Sequence, residues 1–369
     1  MKSGAKFAIL MVLLAVALVA GFLCYRNSED SYKVVDPADI DSIEDLQAYF
    51  RHHPDRDIII SAHRGGMQEG YPENCIASCE KTISEMPTFF EIDFSFTKDS
   101  VMVLMHDLTL DRTTTGSGPV ENYTLEELQQ FRLKDRYGNV TDYTIPTLEE
   151  LLEWGDHKVV FNFDNKYINT AGVSEERKRA ALEYYARQLE EGGKWSRYHN
   201  IMLSVRSLDE ALFYWNRGIR NVMFCVEISS PEMYEAYEKS GIPWNYLMAY
   251  IRLAVDPQMQ EIYDKLHENG VMTMTSITGS ADKVKKPSDR RIAYMRELLA
   301  EPDIIETDYP SQFIGLPWDR ATLHALQEAT RQLSAFSPFS FAALPTRRPR
   351  PYVPSHTGEA GLNATRTLW

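Results

Sequence analysis

Short apolar runs and longer amphipathic segments alternate through the middle of the chain. The short runs are rich in β-branched and aromatic residues and predict strands, whereas apolar residues spaced three or four apart in the longer segments predict helices. The predicted strands are Ile58–Ala62, Phe89–Ser95, Lys158–Asp164, Ile201–Val205, Asn221–Val226, Tyr246–Tyr250, Val271–Thr275 and Asp303–Thr307. The predicted helices include Leu148–Trp154, Glu175–Glu191, Leu208–Arg217, Pro231–Ser240, Pro257–Asn269 and Asp289–Ala300.

This alternation predicts the α/β class and, within it, a (β/α)8 TIM barrel. An open doubly wound sheet is the alternative, but the sequence has no Gly-x-Gly-x-x-Gly loop to support it. A further short helix over Asp41–Phe50 is expected to cover the bottom of the barrel.

The connection after the second predicted strand is too short to contain a helix. The segments Phe90–Thr97 and Ser100–His106 are therefore predicted to be the two arms of a hairpin. A tight turn between them places residue 105 opposite Asp93, so that His106 returns to the level of the acids on the first arm.

The two ends of the chain differ from its middle. Lys2 and Lys6 precede an uncharged stretch from Phe7 to Tyr25, which predicts a membrane anchor or signal helix. The two lysines on the near side of this stretch place the rest of the chain outside the cytoplasm, as a membrane-anchored or secreted protein in the periplasm or extracellular space. From Ser337 onwards, five prolines and four arginines accompany one acid, and this C-terminal tail is expected to be disordered.

These patterns divide the chain into four parts. Residues 1–26 form the signal anchor or signal peptide, and residues 27–55 form a linker and the leading helix. The barrel domain is predicted over residues 56–320, followed by a C-terminal helix and the disordered tail over residues 321–369.

Composition and charge narrow the range of partners. The chain has 369 residues, of which 44% are hydrophobic, and a net charge of −14. This composition supports a packed core, and the acidic surface disfavours nucleic acid as a partner. A small anionic substrate would need local positive charge from a metal ion, arginine or lysine.

Cys79 and Cys225 are expected to be core residues, and a bridge between Cys75 and Cys79 on one helix has poor geometry.

Charged side chains stand where several predicted strands end, which is where a parallel barrel collects its catalytic groups. Glu91 and Asp93 lie late in the second strand and, two residues apart, share one face of it. Asp164 ends the third strand. These three carboxylates form an oxygen ligand set suited to Mg²⁺ or Ca²⁺, and would repel one another without a cation.

His63 and His106 are the candidate general acid and base, because an unperturbed histidine titrates near neutral pH. His63 follows the first strand, and the hairpin brings His106 to the same acids. Five other histidines lack such surroundings and are expected to have ordinary roles: His52, His53, His157, His267 and His324.

Two cations and two polar neighbours complete the predicted site. Arg64 and Lys166 are placed to balance phosphate charge, the arginine by a bidentate fork and the lysine as a point charge. Glu73 is expected to orient Arg64 or a histidine, or else to compensate a helix dipole. Asn74 is expected to cap the helix that follows, with a secondary role in positioning the site. The Arg112–Gly116 run carries no group suited to acid–base work and is interpreted as a loop beside the site. Together these groups are suited to metal-assisted cleavage of a phosphodiester.

The motifs also point to a family, since the sequence resembles the glycerophosphodiester phosphodiesterases over about residues 58–315. The matching motifs, in the family's order, are His63-Arg64-Gly65, Pro72-Glu73-Asn74, Glu91-Ile92-Asp93, His106-Asp107, Leu110-Asp111-Arg112-Thr113-Thr114-x-Gly116, Ile145-Pro146-Thr147-Leu148-Glu149-Glu150, Asn162-x-Asp164-x-Lys166 and Thr307-Asp308-x-Pro310.

The resemblance implies a (β/α)8 barrel that hydrolyses small-molecule glycerophosphodiesters to glycerol 3-phosphate and an alcohol. It implies a divalent cation at Glu91, Asp93 and Asp164, and acid–base roles for the two histidines. Two departures stand out. Asp164 replaces the glutamate that the family often has, and Met274 occupies the place of a tryptophan usual in the family's pocket.

Two other functions are compatible with parts of this pattern. Cleavage of phospholipids in the manner of a lysophospholipase D or sphingomyelinase D is one, because the N-terminal segment would bring the barrel to a membrane. A non-catalytic barrel that binds a phosphorylated ligand is the other, although its expected mark, the loss of a histidine or metal ligand, is not found.

Overall fold

The computed structural model describes residues 34–169, 173–251 and 257–336. The predicted anchor or signal helix over residues 1–26 and the predicted disordered tail from Ser337 lie outside these residues. The described residues up to Leu326 belong to one compact unit.

Eight parallel strands close into a barrel, as the alternation of short and long apolar segments predicts. The first strand pairs with both the second and the last, so that the parallel sheet has no open edge. All eight predicted strands are present, with no end shifted by more than three residues. With the added hairpin arm β3, the strands are β1 Ile59–His63, β2 Phe89–Phe96, β3 Met102–Leu104, β4 Phe161–Asn165, β5 Ile201–Val205, β6 Met223–Glu227, β7 Leu247–Tyr250, β8 Thr273–Ser276 and β9 Ile304–Thr307.

The predicted hairpin is confirmed. β3 pairs antiparallel with the end of β2, with Phe94 opposite Leu104 and Phe96 opposite Met102. Extending this register by one residue places Met105 opposite Asp93, and the Met105 N–H donates to the Asp93 carbonyl at 3.1 Å. The next residue, His106, therefore lies at the carboxyl end of the barrel.

Helices connect the strands around the outside of the barrel. Thr124 and Thr147 each close a capping box with a glutamate three residues later, as their spacing predicts. None of the helices within the described ranges is both long and apolar enough to cross a bilayer. The helices are α1 Ile43–Tyr49, α2 Ile76–Glu85, α3 Leu125–Leu128, α4 Leu148–Gly155, α5 Lys166–Asn169, α6 Glu175–Leu189, α7 Leu208–Asn216, α8 Pro231–Glu238, α9 Pro257–Glu268, α10 Pro287–Leu298 and α11 Arg320–Phe336.

The bottom of the barrel is closed by α1, as the leading amphipathic segment predicts. Leu46 and Phe50 are fully buried and belong to one apolar cluster with methionines from β5 to β8. Met274 belongs to this cluster and is 1% exposed. The expectation that it lines the substrate pocket is wrong, because the β8 backbone turns its side chain into the barrel core.

Asp303 lies just before β9 and forms hydrogen bonds with several side chains at the lower edge of the barrel. Its oxygens accept from His52 Nδ1 at 2.9 Å, His267 Nε2 at 2.8 Å and Arg320 Nη2 at 3.0 Å. The two histidine rings stack with centroids 3.5 Å apart. Burial by itself would raise the pKa of Asp303, but the hydrogen bonds from the two histidines outweigh it and hold that pKa well below its usual range. The ordinary roles expected of these histidines are therefore structural.

Asp303→Asn is expected to lower the free energy of unfolding by about 3–5 kcal/mol, because it removes one partner of a buried charge network. The depressed pKa means that this stabilisation is fully present above the unfolded pKa of about 3.9 and is lost as the pH falls through the lower folded value. Urea denaturation at neutral pH measures the difference, and the exposed Asp142→Asn serves as the control. Equal stability of both variants would contradict the stabilising role of Asp303 at this edge of the barrel.

Candidate active site

β1 ends in His63, and the chain then turns sharply toward the acids of β2. Arg64 has φ 54° and Gly66 has φ 85°, both in the left-handed region. A Cβ on Gly66 would lie 2.6 Å from Thr82 Oγ1, so this turn requires glycine. The Arg64 N–H donates to Glu91 Oε2 at 3.1 Å. The strained backbone of this turn thus holds Arg64 against the neighbouring strand.

His63 is oriented by a residue from the far end of the chain. Its Nδ1 lies 2.7 Å from Asp308 Oδ1, just after β9, and its Nε2 lies 3.9 Å from Glu91 Oε2. Burial alone would lower the pKa of His63, but the hydrogen bond with Asp308 and the charge of Glu91 raise it to about 9. With Nδ1 held by Asp308, Nε2 is the nitrogen left to exchange a proton with a substrate.

Three predicted metal ligands form a buried cluster at the carboxyl ends of β2 and β4. Asp93 stands in register with Asp164, and Glu91 lies two residues earlier on the same face. One oxygen from each of the three carboxylates lies within 4.8 Å of the others. Burial and the charge of Asp93 raise the pKa of Glu91 above its usual value. Burial by itself would also raise the pKa of Asp93, but the charges of Lys166 and Arg64 hold that pKa well below its usual range.

The donor set fits a hard divalent cation. All three donors are carboxylate oxygens, which Mg²⁺ and Ca²⁺ prefer, and the side chains are buried. Glu91, Asp93 and Asp164 are the residues that would hold such an ion.

Asn74 supports the central acid of this cluster. Its Nδ2 donates to Asp93 Oδ2 at 2.9 Å, and its Oδ1 accepts from the Asp93 N–H at 2.9 Å. The expectation that Asn74 caps α2 is wrong, because Cys75 takes the N-cap position. The amide instead fixes Asp93 at two points, with its own backbone at φ 53°.

Three cations contact the cluster, and one of them is Arg64, whose Nε lies 3.3 Å from Asp93 Oδ2. Lys166 Nζ lies 3.0 Å from Asp93 Oδ1 and 2.5 Å from Asp164 Oδ2. The exposed Arg206 also contacts Asp164 Oδ2 through Nη2. Burial alone would lower the pKa of Lys166, but Asp93 and Asp164 raise it, so the ammonium stays charged. Lys166 is therefore held among the predicted metal ligands, where a phosphoryl oxygen could also meet it.

His106 joins the site through a chain of ion pairs. Its Nδ1 lies 2.7 Å from Asp107 Oδ1, and Arg112 Nε donates to Asp107 Oδ2 at 2.6 Å. Arg112 then forms a bidentate pair with Glu73, at 2.7 and 2.8 Å. Glu73 also accepts from Arg64 Nη1 at 2.8 Å. The interpretation of Glu73 as the residue that orients Arg64 agrees with this geometry.

A cavity of about 560 Å³ opens beside these groups and is lined by both His63 and Arg64. His106 and the three clustered carboxylates are not among the residues that line it. The segment 134–138 and the residues Thr278, Gly279 and Lys283 form another part of its lining. A substrate bound there would contact His63 and Arg64.

Comparison with known proteins agrees with this site. The profile of the glycerophosphoryl diester phosphodiesterase family matches residues 63–213. A solved structure described as a glycerophosphoryl diester phosphodiesterase from Parabacteroides distasonis is 37% identical, with a TM-score of 0.64, and the match covers 82% of this chain and 94% of that one. The chain belongs to the glycerophosphoryl diester phosphodiesterase family.

Other relatives match shorter stretches. The glycerophosphodiester phosphodiesterase of Caldanaerobacter subterraneus is 28% identical over 206 residues, which are 50% of this chain and 84% of that protein. Mouse glycerophosphodiester phosphodiesterase 1 is 39% identical over 112 residues, which are 28% of this chain and 33% of that protein. The chain thus spans only a third of the length of this mouse relative.

All eight predicted site residues belong to this one end of the family barrel, linked by the contacts described above. Several participants were not predicted to have a role in the site. Asp308 appeared only as part of a motif, and Arg112 only as part of a loop. Glu306 is a fourth buried acid, and burial raises its pKa. Its signal was present, because Glu306, like Glu91, follows apolar residues inside a predicted strand.

Asp308→Asn is expected to lower kcat at least about tenfold while changing KM less, because an amide cannot hold the His63 tautomer that leaves Nε2 free to accept a proton. Steady-state kinetics on a glycerophosphodiester measure both constants. Asp289→Asn, at an exposed aspartate, is the control, and thermal unfolding verifies that both variants fold. An unchanged kcat for Asp308→Asn would show that His63 needs no partner.

Proposed function

We propose that the protein hydrolyses glycerophosphodiesters to sn-glycerol 3-phosphate and an alcohol. One observation carries the proposal. His63 and His106 each have Nδ1 held by an aspartate, and both stand beside a cluster of three buried carboxylates with interleaved cations. Family membership adds the substrate class, since the relatives named above carry the name of this activity.

The histidines carry the proton transfers in the proposed reaction. One accepts a proton from the attacking water or substrate hydroxyl, and the other protonates the leaving alcohol. Asp308 and Asp107 keep each Nε2 as the exchanging nitrogen. Arg64 is the group that meets a phosphoryl oxygen at the wall of the cavity, with Lys166 on the cluster side.

Glu91, Asp93 and Asp164 would hold Mg²⁺ or Ca²⁺. When bound, such a cation polarises the phosphoryl group and offsets its charge. The protein holds the three oxygen donors in position. For Asp93, Asn74 does so with both polar atoms of its side-chain amide.

A substrate panel tests the function directly. Glycerophosphocholine, glycerophosphoethanolamine and glycerophosphoglycerol are incubated with Mg²⁺ or Ca²⁺, and a coupled dehydrogenase detects released glycerol 3-phosphate. Turnover of at least one of them is expected, and a His63→Ala preparation controls for contaminating enzymes. If no glycerophosphodiester is hydrolysed with any divalent cation, the proposal is wrong.

The cavity favours water-soluble diesters over lysophospholipids. Its lining is dominated by charged and small polar residues, with Met67 and Tyr137 as the large apolar exceptions among the residues that line it. An acyl chain would therefore find little apolar surface there. Faster turnover of glycerophosphocholine than of lysophosphatidylcholine is expected, and the reverse order would favour phospholipid cleavage.

The location of the enzyme is a separate proposal based on sequence. Lys2 and Lys6 before the apolar stretch favour a catalytic domain outside the cytoplasm, either anchored or secreted. Fractionation of cells that express the full chain, with protease added to intact cells, tests this. Protection of the barrel from external protease after removal of any outer envelope would contradict it.

A further inference from the structure

The outer wall of the substrate cavity carries three cations that the proposed reaction does not use. Lys134 and Arg136 reach the cavity from the loop before α4, and Lys283 reaches it from the loop after β8. We call these three residues the rim cations. They matter because the chain as a whole is acidic, with a net charge of −14.

The acids that line the same cavity are already occupied. Glu73 accepts three hydrogen bonds from two arginines, and Asp308 holds His63. Asp135 accepts from the backbone N–H groups of Gly70 and Tyr137, each at 2.9 Å. Five basic side chains line the cavity, namely Arg64, Arg112 and the three rim cations, against the three acids Glu73, Asp135 and Asp308, so the lining carries a net positive charge.

The rim cations themselves have weak internal partners. Within the described part of the chain, Lys134 and Arg136 have no carboxylate within 4.0 Å of their charged nitrogens. Lys134 Nζ reaches only the Asp111 carbonyl, at 3.5 Å. Lys283 Nζ is 4.0 Å from Asp308 Oδ2, and its side chain is 66% exposed. These groups are available to a ligand.

Arg136 is held in place without being neutralised. Its guanidinium lies over the ring of Tyr309, 4.4 Å from the centroid. The turn that carries it is fixed by Asp135, which accepts from the N–H groups of Tyr137 and Asn139 at 2.9 Å. Holding a cation on a rigid turn lowers the entropic cost of binding an anion. Arginine also offers a planar fork suited to phosphate.

The rim cations are different residues from the cations that stand against the acid cluster. Arg64 and Lys166 are mostly buried, with side chains 14% and 16% exposed, and they contact the clustered acids. Arg136 and Lys283 are exposed, Lys134 is partly buried, and all three line the cavity. A substrate whose phosphodiester reaches His63 would place one of its two ends beside the rim. The rim therefore contacts a substituent of the diester.

We propose that the rim cations bind a head group that carries a second negative charge, such as a phosphate on the leaving alcohol. This inference rests on the proposed glycerophosphodiesterase function and specifies its substrate class. A cationic choline would face three like charges at the same place, and a neutral alcohol would gain nothing from them.

A matched pair of substrates tests the proposal. Glycerophosphoglycerol is compared with the same diester phosphorylated on the far hydroxyl of its leaving glycerol, under one fixed salt and cation concentration. The kcat/KM of the phosphorylated substrate is expected to be at least about fivefold higher, the scale of a hydrogen-bonded charge pair near a surface. Arg136→Gln and Lys283→Ala should each reduce this ratio, and the double variant should bring it close to one.

The control is Lys285→Ala, which removes an exposed lysine two residues from Lys283 that does not line the cavity. It should leave the ratio unchanged. A similar loss of kcat/KM on both substrates in the rim variants would overturn the proposal, since it would indicate general attraction of anions. Equal kcat/KM for both substrates in the unmodified enzyme would also overturn it, while turnover of both would leave the proposed function intact. Absence of turnover with either substrate would overturn both proposals.

Discussion

His63→Ala and His106→Ala are each expected to lower kcat at least about 100-fold, the usual cost of losing a general acid or base. Each imidazole has Nδ1 committed to an aspartate, which leaves Nε2 to exchange a proton with the reacting groups. Alanine removes that nitrogen without adding bulk. The measurement is the release of glycerol 3-phosphate under saturating substrate and divalent cation.

The leaving group separates the roles of the two histidines. In a substrate analogue with a nitrophenol leaving group, that group departs as the nitrophenolate anion and does not need to be protonated. The variant that has lost the general acid should recover most of its rate on this analogue, whereas the variant that has lost the base should remain slow on both substrates. For each variant, the ratio of its rates on the analogue and on the natural substrate thus shows whether the missing histidine is the acid or the base.

His157→Ala is the matched control, because His157 is 54% exposed and lies at the other end of α4 from the site. Its rate should stay near that of the unmodified enzyme. Near-normal rates in both the His63 and His106 variants would refute the assignment of acid–base catalysis to this pair.

Removing divalent cations with excess EDTA is expected to abolish turnover, and Mg²⁺ or Ca²⁺ should restore it. Glu91, Asp93 and Asp164 bring a ligand oxygen within 4.8 Å of one another. A cation that binds these oxygens in the folded state and not in the unfolded chain stabilises the fold. A cation at 100 times its Kd should raise the free energy of unfolding by about 2.7 kcal/mol. A thermal shift on adding the metal therefore reports binding without reference to activity.

Asp164→Ala removes one of the three donors. Calorimetry should show cation affinity reduced by more than the roughly 10- to 100-fold typical when only an outer partner of a metal site is lost. Asp164→Glu keeps the carboxylate on a longer arm and should retain much of the affinity. Asp209→Asn, at an exposed aspartate in the first turn of α7, is the control. Full turnover in excess EDTA, or unchanged cation affinity in Asp164→Ala, would exclude this cluster as the metal site.

The site could be predicted from sequence where local pattern and chain direction set the geometry. Glu91 and Asp93 share a face because alternate residues of a strand do so. The position of His106 beside the end of β2 could be predicted from the short turn, because the length of a hairpin loop fixes the antiparallel register. Asp164 and Lys166 followed from their position at the end of an apolar run.

Other parts of the site depend on contacts between distant segments. Asp308 meets His63 across 245 residues of sequence, at the seam where β9 closes on β1. Asn74 resembles a helix cap locally, yet its amide is used by Asp93. Met274 departs from the family pattern, and it is buried in a cluster with residues from several other strands, which only barrel closure brings together.

The sequence by itself determined the strand order, the hairpin and the eight residues of the candidate site, because periodicity and turn length act over a few residues. Only the tertiary structure decided which group orients each residue and which cations line the cavity. Those outcomes depend on barrel closure, which brings β1 beside β9 and the loops beside one another. Hydrogen bonds and ion pairs act over a few ångströms, and spacing along the sequence does not report those distances.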